Sequence, residues 1–153
     1  MDIVSKEVRS RMMSRIRGKD TRPEIKVRKL LHAQGFRYRL HVRRLAGSPD
    51  IVLPRYRVCI FVHGCFWHRH EGCRYTTIPA TRPEFWQLKF RQNVERDARN
   101  RERLLRDGWR VVELWECGLS SDNPDLSWLY EFIRASEPTL IEWPIPEGRP
   151  ASR

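Results

Sequence analysis

Val58-Cys59-Ile60-Phe61-Val62-His63-Gly64-Cys65-Phe66-Trp67-His68-Arg69-His70 is the stretch on which the fold turns. Its opening residues are apolar, follow a Pro54-Arg55 turn and are too few for a helix, so residues 56–62 read as the central strand of a covered sheet. The composition then switches abruptly. Between His63 and His70 the chain places three of its five histidines, one of its four cysteines and two adjacent aromatics, and Cys73 follows closely. Imidazole and thiol groups are costly to bury without partners, and a glycine-containing stretch is a poor place for a core. The segment therefore reads as a site delivered by the end of a strand.

Upstream, Thr21-Arg22-Pro23-Glu24 is a capping box: threonine as N-cap, proline in the first turn, glutamate at the third position. A helix of about 12 residues follows, with Val27, Leu30 and Leu31 on one face and Gly35 as the stop. Phe36-Arg37-Tyr38-Arg39-Leu40 alternates as a strand, and Asp50-Ile51-Val52-Leu53 reads as the next. Downstream, the same tetrapeptide recurs as Thr81-Arg82-Pro83-Glu84 and opens a long helix running to about Arg106, stopped by Gly108. Residues 109–115 form another strand, residues 124–135 a short helix, and the tail from 137 contains four prolines and is expected to be loosely ordered. This order describes a single α/β domain with a mixed central sheet flanked by helices. It divides into a basic N-terminal arm (1–20), a folded domain (21–136) and the tail (137–153).

Thirty Lys and Arg against 19 Asp and Glu give a net charge of +11 on 153 residues, which points to a polyanionic partner. No amphipathic or long apolar segment argues for a membrane, so nucleic acid is the expected partner and the cytoplasm the expected compartment. Thiols stay reduced there, so the cysteines are candidates for metal ligation, catalysis or plain packing rather than disulfides. Cys59, inside the apolar strand, belongs to the core.

Cys65, His70 and Cys73, with Cys117 at the end of a returning strand, form a Cys3His set that suits tetrahedral Zn2+; four unrelated thiol and imidazole groups are the plainer alternative. His63 and His68 then remain for chemistry. Asp50 starts one hairpin strand and lies opposite the far end of the next, where it can approach Val62 and His63. That is the layout of nucleases that hold Mg2+ on a carboxylate and a strand carbonyl. Glu24 shares a helical face with Val27 and Leu31 and so looks inward, where a carboxylate needs a partner such as a metal-bound water; capping is its simpler role. Trp86, Phe90, Asn93 and Asp97 recur on one helical face, and Asp97 can orient a histidine or pair with an arginine. Phe66 and Trp67, with Trp86 nearby, either pack in the core or form an aromatic wedge able to unstack bases.

These residues carry a resemblance. Phe61 to His68, with Pro79-Ala80-Thr81-Arg82, Glu84-Phe85-Trp86, Asn93-Val94-Glu95-Arg96-Asp97, Gly108-Trp109-Arg110-Val111 and Trp115-Glu116-Cys117, closely resembles the very short patch repair (Vsr) endonucleases. The likeness runs from about Met13 to Gly118 and leaves out the last 35 residues. It implies a restriction-endonuclease-like fold with a structural zinc site. It also implies a Mg2+-dependent, strand-specific endonuclease that nicks 5′ of the thymine in T:G mismatches left by deamination of 5-methylcytosine. On this resemblance Asp50 binds two Mg2+ ions with help from the Val62 carbonyl, and His63, His68 and Glu24 complete the site. Asp97 orients His68, which activates the attacking water. Cys65, His70, Cys73 and Cys117 hold zinc, with Gly72 absorbing one residue more than the family pattern has. Phe66, Trp67 and Trp86 intercalate, while Met13 and Ile16 on the arm reach the other groove. The implied partners are double-stranded DNA with a T:G mismatch and mismatch-repair proteins, with the chain acting as a monomer. A zinc-stabilised DNA-binding module without catalysis, or a restriction-like nuclease acting on matched DNA, are the competing readings.

Overall fold

The computed structural model describes residues 20–146. The basic arm, with Met13 and Ile16, lies outside them. Helix α1 (Arg22–Ala33) begins as its capping box requires: Thr21 is extended and its hydroxyl accepts the Glu24 N–H at 3.4 Å. It ends at Gly35, whose φ of +87° suits glycine, with the Gly35 and Phe36 N–H groups donating to the carbonyls of His32 and Leu31. Phe36 is thereby committed to closing the helix and filling the core. The expected strand over 36–40 accordingly shrinks to β1 (Arg39–Leu40).

Strands β2 (Ile51–Leu53) and β3 (Val58–His63) form a hairpin with Ile51 opposite Ile60. The short helix α2 (Cys65–His68) and the long helix α3 (Pro83–Arg106) then carry the chain over to β4 (Arg110–Trp115), parallel to β3 with His63 opposite Trp115. A 3-10 turn (Glu116–Leu119) and helix α4 (Ser127–Arg134) lead to β5 (Leu140–Trp143). The sheet order is β1-β2-β3-β4-β5, antiparallel over the first three strands and parallel over the last three.

Alternation along the strands divides the core. Ile51, Leu53, Val58, Ile60, Val112 and Leu114 face α1 and α4, where Val27, Leu31, Leu129 and Ile133 are fully buried. Val52, Cys59 and Val111 face the other way, beneath Leu104 of α3, so Cys59 is indeed a core residue. Burying each such aliphatic side chain contributes roughly 1.5–3 kcal/mol before entropy is counted. With helices on both faces, β3 is the covered central strand that its apolar run predicted.

Two expectations need correction. The second Thr-Arg-Pro-Glu does not cap its helix: α3 starts one residue later than its twin would, behind Arg82, which is left-handed (φ +56°) and makes no side-chain cap. Arg82 instead places its guanidinium 5.0 Å from the Phe85 ring centre. The segment expected as a loose tail contains β5. Pro138 and Pro144 flank that strand rather than interrupt it, which an edge strand tolerates. Trp143 and Pro144 lie so close over Gly118 that a Cβ there would come within 2.7 Å of both. No helix of the described residues is long and apolar enough to cross a membrane.

Candidate active site and metal centre

A cleft of about 620 Å³ opens at the C-terminal end of β3, lined by Asp50, Val62, His63, His68 and Asp97 among others. The hairpin puts Asp50 there. Its Oδ2 accepts the Val62 N–H at 2.8 Å, the approach that the antiparallel pairing of the two strands allowed. In an extended strand the N–H and C=O of one residue point to the same side, so the Val62 carbonyl also turns toward Asp50, beyond the end of β2. Burial raises the Asp50 carboxyl above its usual range, against the pull of the Val62 hydrogen bond. An ionised carboxylate held at such a cost, beside an unpaired strand edge, is a setting a divalent cation relieves.

His63 ends β3 and is almost fully buried, its ring 4.2 Å from that of His68 and 5.0 Å from that of Trp115. Desolvation drives its pKa down to about 3, helped by the neighbouring His68, so it stays neutral near pH 7. His68 ends α2, and its Nδ1 lies 2.6 Å from Oδ2 of Asp97 on α3. A carboxylate only accepts, so Nδ1 carries the proton and Nε2 is left basic. Burial pushes the Asp97 carboxyl up, but the hydrogen bond and charge of His68 outweigh it and the net shift is downward.

Glu24 looks inward as expected, only 1% exposed. Its partners are Arg28, one helical turn on, and Nε2 of His41 at 3.2 Å. His41 belongs to the cleft and was not singled out from the sequence. So does Glu113 of β4, whose carboxyl burial pushes up and whose Oε1 accepts from Arg101 at 2.8 Å. The available signal for His41 was the hairpin itself: its N–H donates to the carbonyl of Asp50, one step beyond β1. Glu113 sits in a strand whose other neighbours are apolar, and that isolation was its only signal.

Cys65, His70, Cys73 and Cys117 converge, with one ligand atom from each within 4.8 Å of the others. His70 Nδ1 lies 3.7 Å from Cys65 Sγ and 3.5 Å from Cys117 Sγ. Nitrogen and sulfur ligands around a tetrahedral ion of zinc's size stand about 3.6 Å apart, so the set could hold one metal ion. The other ring nitrogen of His70 donates to the Pro144 carbonyl at 2.8 Å, which turns the Nδ1 lone pair toward the thiols. Gly72, at φ +81°, makes the turn between His70 and Cys73 that the extra residue requires. Burial raises the Cys65 and Cys117 thiols, which a bound cation would reverse.

Helix α2 distributes these parts. Successive residues are rotated by about 100°, so Cys65 turns to the cysteine cluster, Phe66 and Trp67 to an aromatic group, and His68 to Asp97. Phe66 lies 5.0 Å from Trp67 and 5.9 Å from Trp86, ring centre to ring centre. Phe66 and Trp67 are half-buried, whereas Trp86 is only 8% exposed and stacks on Phe90, so it backs the pair rather than extending it. Asn93 of α3 donates to the Trp67 carbonyl at 3.2 Å, and the Arg69 guanidinium, 3.9 Å from the Phe90 ring centre, donates to the Phe66 carbonyl. The aromatic pair is thus braced from behind.

Comparison with known proteins gives the family. The family model for the DNA mismatch endonuclease Vsr matches residues 1–74. A type II nicking enzyme, V.XorIIP of Xanthomonas oryzae pv. oryzae, is 49% identical over 119 residues, covering 78% of this chain and 87% of its own. The DNA mismatch endonuclease Vsr of Escherichia coli is 47% identical over 118 residues, 77% of this chain and 75% of its own. The nicking enzyme V.NmeAIP of Neisseria meningitidis is 44% identical over 120 residues, 78% of this chain and 85% of its own. The chain belongs to the Vsr family of DNA mismatch endonucleases.

Proposed function

We propose that this chain is a Mg2+-dependent endonuclease that nicks one strand of duplex DNA 5′ of the thymine at T:G mismatches arising from 5-methylcytosine deamination. The observation that carries the reading is the meeting of Asp50, the Val62 carbonyl edge and the His68–Asp97 pair in one cleft. Asp50 and Val62 would hold Mg2+, which would supply charge stabilisation at the phosphate when bound. Nε2 of His68, with Asp97 fixing the ring, accepts the proton of the attacking water. Neutral His63 packs against His68 and keeps a second cation out of the cleft wall. Glu24 shapes the far wall through His41.

Cys65, His70, Cys73 and Cys117 would hold Zn2+ in a closed shell with no open position, a structural site. Phe66 and Trp67, backed by Trp86, enter the base stack, where unstacking costs least at an already weak T:G pair. The excess of 11 Lys and Arg over Asp and Glu supplies the sequence-independent, salt-sensitive attraction, and the arm with Met13 and Ile16 reaches the opposite groove. A nicking assay on T:G and T:A duplexes tests the reading: the mismatched thymine strand alone should be cut. Trp67→Ala should cut T:G preference by tenfold or more while leaving matched-DNA affinity and its salt slope in place. Equal cutting of matched duplexes, or equal loss on both in the variant, would overturn it.

A further inference from the structure

We infer that His41 is a positioning residue for the Asp50 carboxylate and thereby sets the affinity of the cleft for its divalent cation; this rests on the metal reading of the cleft proposed above. Asp50 is held from two sides. Val62 donates to Oδ2 at 2.8 Å, which fixes one carboxylate oxygen and leaves the other. The second oxygen, Oδ1, has Nδ1 of His41 3.9 Å away. That gap is too long for a direct hydrogen bond but close enough for the ring to back the second oxygen by direct polar contact.

His41 is itself immobilised. Its backbone is left-handed (φ +48°), and its N–H donates to the carbonyl of Asp50 at 3.0 Å, so the two residues share one rung beyond β1. On the far side of the ring, Nε2 lies 3.2 Å from Glu24 Oε2, 3.3 Å from Asp20 Oδ1 and 3.0 Å from Arg28 Nη2. Glu24 is buried and ion-paired with Arg28, so this end of the ring is clamped to α1. The imidazole is a spacer with one nitrogen anchored against helix α1 and the other against the Asp50 carboxylate, one residue before β2. Outer-shell groups that orient a metal ligand typically matter by 10–100-fold in metal affinity.

The test is direct Mn2+ binding, read by electron paramagnetic resonance on the full-length, DNA-free protein. His41→Ala should weaken Mn2+ binding by 10–100-fold, with DNA affinity measured without divalent ions unchanged. His41→Asn, whose amide reaches the level of the lost Nδ1 but not the Nε2 anchor, should weaken binding by less than about tenfold and less than alanine does; it also serves if the alanine variant does not fold. Asp50→Asn separates the two claims. If it leaves Mn2+ binding intact, the metal reading of the cleft fails. If it abolishes binding while His41→Ala stays within twofold, the role of His41 is overturned and the cleft reading stands. An asparagine variant as weak as the alanine one would also overturn it.

Discussion

Two of the places where the described residues could hold metal, the cysteine cluster and the Asp50 cleft, lie at opposite ends of one short helix and are built in opposite ways. At Cys65, four soft ligands close on one another, His70 is fully buried and its outer nitrogen is tied to Pro144. At Asp50, one buried carboxylate and a strand carbonyl face an open cleft, with histidines as neighbours rather than a closed shell. Closure suits a site whose binding energy goes into folding; openness suits one that must admit a phosphate. On the proposed reading, the same α/β scaffold would carry one metal-capable centre for stability and one for chemistry.

The largest expected effect comes from the closed centre. Structural zinc in small domains contributes about 10–16 kcal/mol of apparent binding energy, comparable to the whole net stability of a domain. Cys117→Ala, or strong chelation, should therefore abolish cooperative melting by circular dichroism, with about one zinc per chain lost from the parent. A metal-free protein that still melts cooperatively near the parent's midpoint would collapse the contrast.

The open centre should behave in the reverse way. Asp50→Ala removes a cation ligand worth several kcal/mol at the transition state, so nicking should fall by about 10³-fold or more. Because burial makes the Asp50 charge costly, thermal stability without Mg2+ should be unchanged or higher. Loss of both fold and activity in this variant would mean that the cleft is as structural as the cysteine cluster.

The smallest effect sharpens the electrostatics between them. His63 is neutral in the fold down to about pH 3, while an unfolded histidine protonates near the ordinary imidazole value of 6.5. The unfolded chain binds the extra proton in that window, so stability rises with pH through it. The contribution is fully present above 6.5 and is lost as pH falls toward 3. His63→Phe, which keeps the stack on Phe61 and Trp115, should lower the pH slope of unfolding free energy by about 1.4 kcal/mol per pH unit between pH 5 and 6. Denaturant melts at several pH values measure this. An unchanged slope would show that His63 accepts its proton in the fold.

What could be read from the sequence follows from how local the cause was. The α1 cap, the hairpin that brings Asp50 to Val62 and the convergence of the cysteine ligands all depend on spacing within a few residues or on one strand return. The second Thr-Arg-Pro-Glu shows the limit of local reading. It has the same four residues, yet the left-handed Arg82 shifts its helix start and dissolves the cap. β5 escaped because its pairing partner is set by β4, some 30 residues earlier, and its flanking prolines masked a four-residue strand. His41 escaped because a lone histidine after a short alternating run has no pattern of its own. Its neighbours Glu24, Arg28 and Asp50 come from two other elements.

Helix α2 also constrains how this protein can vary over time. The four positions of Cys65–His68 answer to three neighbours: the cysteine cluster, the aromatic group and Asp97. Substitutions there can be judged one by one, but an insertion or deletion cannot. Shifting the frame by a single residue would rotate every later side chain by about 100°, putting the Phe66 ring among the cysteines or Trp67 or Arg69 in place of His68 beside Asp97. Length in this segment should be more tightly held across descendants than the identity of any one residue in it, while the loop at Glu71 and Gly72 absorbs changes in length.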